Sequence, residues 1–155
     1  MKRMLIIAAV ACLFVIQLTA QEEAVATGEW LLNIDEAKQA ATERGVPILM
    51  VFSGSDWCRP CIQMKQEVWD NPAFVEYAQE SLALLRLDFP ARKKNQLSPE
   101  QTAHNEALAE QYNPKGEFPA AVLIDPEGKE IAHFGYNSTL SAQDYVEYLK
   151  AQITQ

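Results

Sequence analysis

Five consecutive apolar residues, Ile48-Leu49-Met50-Val51-Phe52, run from Val46-Pro47 to the loop Ser53-Gly54-Ser55-Asp56-Trp57, and Cys58-Arg59-Pro60-Cys61 follows at once. No other stretch restricts the fold as much. An unbroken apolar run between breakers suits a strand covered on both faces, inside a sheet that carries helices on either side. The cysteines then stand where the chain leaves that strand for a helix continuing from Ile62 to Val68. At such a turn two sulfurs with two residues between them come within bonding distance. The first thiol lies near unpaired backbone N–H groups and the positive end of the helix dipole, both of which favour its thiolate. A free cysteine titrates at about 8.5, whereas the first cysteine of such a pair falls to roughly 3.5 to 7.5. Arg59 adds positive charge beside it, and the second sulfur, held deeper, is placed to attack a mixed disulfide.

Rival uses of the pair can be weighed from its surroundings. A tetrahedral zinc site needs four ligands, but there is no second cysteine pair, and His104 and His133 stand far off without paired spacing. No metal site is expected. Covalent haem attachment requires His directly after the second cysteine, where this chain has Ile62. A purely structural disulfide is the serious rival in an exported protein. It is weakened because closing so short a loop constrains the unfolded chain little.

Export is itself read from the N-terminus. Lys2 and Arg3 precede a run from Met4 to Leu18 that is apolar except for Gln17, and Thr19-Ala20-Gln21 follows. That layout is a secretory signal peptide over residues 1–20, with cleavage after Ala20 as first choice and Ala24-Val25-Ala26 as a later alternative. The run is short for a bilayer span of about 20 residues, which disfavours an uncleaved anchor. Cys12 leaves with the leader, and Ala9-Val10-Ala11-Cys12 lacks the leucine expected of an acylated cysteine. A polar linker over 21–29 and one domain over 30–155 remain, and 155 residues at 48% hydrophobic exclude two large domains. A formal charge of -8 argues against nucleic acid as partner.

Along the domain, Ile34 to Arg44 reads as a helix capped by Asn33 or Asp35 and stopped by Gly45. Pro72 opens a further helix, Leu82 to Leu87 is strand-like, and Ser98-Pro99-Glu100-Gln101 starts a helix to about Tyr112 with Gln101 at the capping-box position. Ala120 to Ile124 is the next strand. Asp125-Pro126-Glu127-Gly128 turns it into an antiparallel partner over Glu130 to Phe134, and Ser141 caps a last helix. The expected class is α/β, a mixed central sheet flanked by helices on both faces.

Phe52 through Cys61, with Trp57 directly ahead of Cys58-Arg59-Pro60-Cys61, resembles the thioredoxin active-site region, and Phe118-Pro119 falls where thioredoxins carry their cis-proline loop. The resemblance extends over about residues 28 to 152 and implies a thioredoxin-like fold. It implies Cys58 as attacking nucleophile and Cys61 as resolving thiol, with Arg59 and Pro60 supporting. Trp57 would pack against the site, Pro119 would face the disulfide in cis, and the Phe118 backbone would pair with the substrate's cysteine segment.

Two departures stand out. The family's buried acid on the strand before the motif falls at Val51, and Asp56 and Glu67 are the nearby carboxylates able to replace it, Asp56 reading more simply as a solvated loop acid. Phe118 replaces a smaller residue before the proline and would reshape the substrate groove. The connection Phe89 to Leu97 is long and carries Arg92-Lys93-Lys94, a solvated loop or else a contact for an acidic partner.

Together these features point to a periplasmic thiol-disulfide oxidoreductase that acts as a monomer on cysteine-containing exported proteins. No organic cofactor is implied, because the sulfurs carry the electrons; a membrane or thioredoxin-type redox partner would recharge it. The alternative is a thioredoxin-fold binding module, a chaperone or metal carrier, without redox turnover. The direction of electron flow stays open.

Overall fold

In the computed structural model, which describes residues 28–154, the run Ile48–Ser53 is strand β2 at the centre of a five-stranded sheet. Its neighbours explain why it can be apolar throughout. It pairs in parallel with β3 (Ala83–Asp88) and antiparallel with β4 (Ala120–Ile124), while β1 (Trp30–Leu31) and β5 (Glu130–Phe134) form the edges, giving the order β1-β3-β2-β4-β5. With partners on both sides and helices on both faces, Ile48 to Phe52 have almost no contact with water. Burying each such side chain contributes about 1.5–3 kcal/mol.

Strand alternation then divides the interior into two layers. Ile48, Met50 and Phe52 point to one face, packing with Leu85, Leu87 and Val122 beneath α1 (Ile34–Arg44) and α4 (Pro99–Tyr112). Leu49 and Val51 point to the other, against α3 (Pro72–Ser81), α5 (Ala142–Ile153) and Trp69. The fold is therefore the mixed sheet with helices on both faces that the sequence implies.

Most boundaries follow local chemistry. Asn33 caps α1 by accepting from Asp35 N at 2.7 Å, and Gly45 ends it at φ 64, a left-handed position that suits glycine. Ser141 and Asp144 form a reciprocal capping box on α5. Four features differ from expectation. Strand β1 was not foreseen, because two residues are too few for a period to show. Helix α2 opens at the cysteine pair as expected and spans Arg59–Met64, but it then widens into a π-helical segment, Lys65–Trp69, in place of an α-helix to Val68. Gln101 does not serve a capping box, since its amide donates to Leu32 O at 2.9 Å and Asn105 Oδ1 at 2.8 Å. The connection after β3 is not structureless, as it contains a 3-10 turn at Lys93–Asn95. The leader expected over residues 1–20 and most of the linker lie outside the described residues. Among those described, no helix is long and apolar enough to cross a membrane.

Candidate active site

Strand β2 ends at Ser53, and the next eight residues deliver both cysteines. Gly54 O accepts from Cys58 N at 2.9 Å, closing the turn. A Cβ at Gly54 would meet the Trp57 ring at 2.3 Å, so any larger residue there would displace that ring. Cys58 is the N-cap of α2, and its Sγ accepts from Cys61 N at 3.3 Å. The sulfur thus occupies the place of the usual capping oxygen, where a thiolate is stabilised by unpaired amides. Pro60 lies in the first turn, where its missing N–H costs nothing. The two sulfurs are bonded, with Cα atoms 5.3 Å apart. Cys58 and Cys61 retain only 4% and 3% exposure, so the two differ little in depth in the oxidised form.

Trp57, half exposed, leans on Phe118 with ring centroids 5.4 Å apart. Phe118 meets Phe89 at 5.3 Å, and Phe89 stacks on core residue Phe52 at 6.4 Å. Four rings therefore connect the rim of the site to the centre of the sheet, each contact worth about 0.5–1.5 kcal/mol beyond area burial. The Phe118–Pro119 peptide is cis. Phe118 is engaged in this wall through the rings of both Trp57 and Phe89. Phe89 went unnoticed in the sequence, although a phenylalanine directly after a strand and before Pro90 was a usable sign.

Beneath the pair, Cys61 and Pro119 line a cavity of about 240 Å³ floored by Val51, Trp30 and Trp69. Its charged lining is Arg86, which stands opposite Val51 in the β2–β3 register, with Lys65 and Asp70. Lys65 Nζ meets Asp70 Oδ2 at 2.6 Å, a pairing five residues apart that the π turn makes possible. The two carboxylates singled out as replacements for the missing acid are placed elsewhere. Asp56 accepts from Ala91 N at 2.9 Å, Arg92 N at 3.0 Å and Asn95 Nδ2 at 2.9 Å. The Ala91 amide first, then Asn95 and Arg92, hold its carboxyl below the ordinary aspartate value. Glu67 accepts the Tyr136 hydroxyl hydrogen, and that bond pushes the tyrosine up to about 12. The acid in the cavity is Asp70, which α-helical spacing could not reveal. His104 Nε2 accepts from Ile34 N at 3.0 Å, and His133 Nε2 lies 3.3 Å from Glu117 Oε2, both contacts being away from the sulfurs.

The family model described as thioredoxin-like matches residues 29–126. The disulfide bond reductase DsbH of Chlamydia pneumoniae is 36% identical over 118 residues, covering 76% of this chain and 69% of that protein. The thioredoxin-related protein DsbJ of the same organism is 30% identical over 68% of this chain, which spans only 30% of its length. A solved structure titled DsbH oxidoreductase superposes with a TM-score of 0.75 at 30% identity, covering 89% of this chain and 92% of that one. With a matching family model, related sequences and a bonded Cys58–Cys61 pair at a capped helix start, the chain belongs to the thioredoxin-like family, among its thiol-disulfide oxidoreductases.

Proposed function

We propose that the protein reduces disulfides of other exported proteins in the periplasm of a Gram-negative bacterium, after removal of residues 1–20. The observation that carries this reading is the Cys58–Cys61 disulfide at the capped start of α2, beside Phe118–Pro119 and the aromatic wall. In the reduced protein the Cys58 thiolate attacks one sulfur of a substrate disulfide. A Cys58–substrate bond forms, the substrate's own S–S bond breaks, and the departing thiolate takes up a proton. Cys61, deprotonated, then attacks the Cys58 sulfur and expels the second substrate thiolate, which is protonated in turn. Two electrons and two protons have passed to the substrate, and the Cys58–Cys61 disulfide remains.

The reductive direction is supported by the name of the related DsbH, a disulfide bond reductase. A reductant in an oxidising compartment must be recharged, so a membrane or thioredoxin-type donor is part of the proposal. Trp57 and the Phe118 backbone line the substrate's approach, and Arg59 adds positive charge beside the nucleophile.

Insulin reduction driven by dithiothreitol tests the turnover. Acceleration is expected from the native protein and none from Cys58→Ser, while Cys61→Ser should accumulate a mixed disulfide visible on non-reducing gels. Equal loss in both variants without a trapped adduct counts against the assigned roles. No acceleration by the native protein favours a binding module. Equilibration with glutathione should place the pair toward the reducing end of the roughly -270 to -120 mV span of such proteins. N-terminal sequencing of the exported protein should begin at Gln21.

A further inference from the structure

Disulfide exchange as proposed leaves the motif Arg92-Lys93-Lys94 without a role. Its loop does not project freely. Asp56 binds Ala91 N, Arg92 N and Asn95 Nδ2, and the Trp57 indole N–H donates to Phe89 O at 2.7 Å. These bonds cross 32 to 39 positions of sequence and hold the loop against the two residues that precede Cys58. Arg59, exposed, follows on the other side of Cys58.

Four of the chain's 13 basic residues therefore gather at the rim of the disulfide, although the whole chain carries a formal charge of -8. The rim also holds two carboxylates, Asp56 bound to the loop amides and Asp88 to Ser55, whose N–H and hydroxyl it accepts at 2.9 and 2.5 Å, so its four cations exceed its carboxylates by two. Arg59, Lys93 and Lys94 hold no ion pair among the described residues, where lysine–carboxylate pairs occur at Lys65–Asp70 and Glu147–Lys150. Cations left unpaired beside an apolar wall attract an anionic partner at this place, while the net negative charge of the rest of the chain repels it elsewhere. Such a field selects a docking pose and raises the encounter rate.

We propose that Arg59 and Arg92-Lys93-Lys94 dock an acidic polypeptide segment next to the substrate's disulfide, with Trp57, Phe89 and Phe118 packing the apolar residue beside it. The inference rests on the exchange reaction proposed above and names its preferred substrate class.

The test uses the purified reduced protein and two disulfide peptides that differ only in Glu or Lys beside the cysteine. The acidic peptide should be reduced about tenfold faster at low salt. The ratio should approach one near 1 M salt, where screening acts within about 3 Å. A Lys93→Glu/Lys94→Glu variant should invert the ratio. A Lys38→Glu/Lys129→Glu variant changes the net charge equally at the far end of the sheet and should preserve it. Because the readout is a ratio within one protein, a general loss of activity cancels. Equal rates for the two peptides, or a preference that the Lys93→Glu/Lys94→Glu variant leaves intact, overturn the docking surface. Failure of the native protein to reduce an uncharged small disulfide overturns the exchange reaction itself.

Discussion

The outer and inner sides of the Cys58–Cys61 pair are held by different means. Outside, Trp57, Phe89 and Phe118 rest on a loop fastened by side-chain hydrogen bonds from Asp56 and Trp57, several of them open to solvent. Inside, the cavity under Cys61 is walled by regular elements: Val51 on β2, Arg86 on β3, and Trp69 packed on Trp30, Phe74 and Tyr145 at 4.7 to 6.3 Å. The inner side therefore shares the stability of the whole domain. The outer side rests on solvent-exposed bonds, which can open locally without unfolding the domain.

Cutting into the inner side should show the largest effect. Trp69→Ala empties a buried aromatic site and should cost about 3–5 kcal/mol, read as a lower denaturant midpoint with an unchanged slope. A loss below about 1 kcal/mol would mean that the inner wall is not part of the cooperative core. On the outer side, Trp57→Phe keeps a ring against Phe118 and removes the bond to Phe89 O, so stability should fall by about 1 kcal/mol or less. Reduction of protein substrates should slow more than reduction of a small disulfide. Equal slowing of both would place Trp57 in the chemistry and not in docking.

Asp56→Asn should leave the thermal midpoint nearly unchanged while the Ala91 and Arg92 amides lose hydrogen-exchange protection. Acid should do the same to the native protein. The folded pKa of Asp56 is depressed, so its contribution is present above the unfolded value near 3.8 and is lost as pH falls through the lower folded value. Protection of these amides that persists below that range would detach the loop from Asp56. The smallest effect is expected at Tyr136, whose folded pKa is raised from 10.0 to about 12. Its contribution is complete below pH 10 and is lost as pH rises toward 12, so Tyr136→Phe should reduce the alkaline slope of stability and change little at neutrality.

Particular residues show where reading the chain succeeds and fails. Asn33, Gly45, Ser98 and Ser141 mark helix ends through bonds made within a few positions, and the structure has each helix where those signals stand. The Trp57-Cys58-Arg59-Pro60-Cys61 motif and Phe118-Pro119 were likewise visible as residues. Asp56 and Glu67 were visible too, but their partners were not. Asp56 binds residues 35 to 39 positions away, and Glu67 binds Tyr136, 69 positions away. Asp70 escaped notice because a π turn, which no simple period announces, swings it onto Lys65.

Apart from β1 and the π-helical segment, the amino-acid order alone determined the strand and helix succession, and it also determined the two sulfurs and the surplus of negative charge, since these are read from the residues and their near neighbours. Only the tertiary structure decided which groups surround those sulfurs: the loop of Phe89 and Arg92-Lys93-Lys94 on one side, Arg86 and the Lys65–Asp70 pair on the other. Chain closure over tens of residues is selected by packing and by hydrogen bonds formed only after the sheet exists, and such distances leave no local periodicity to read.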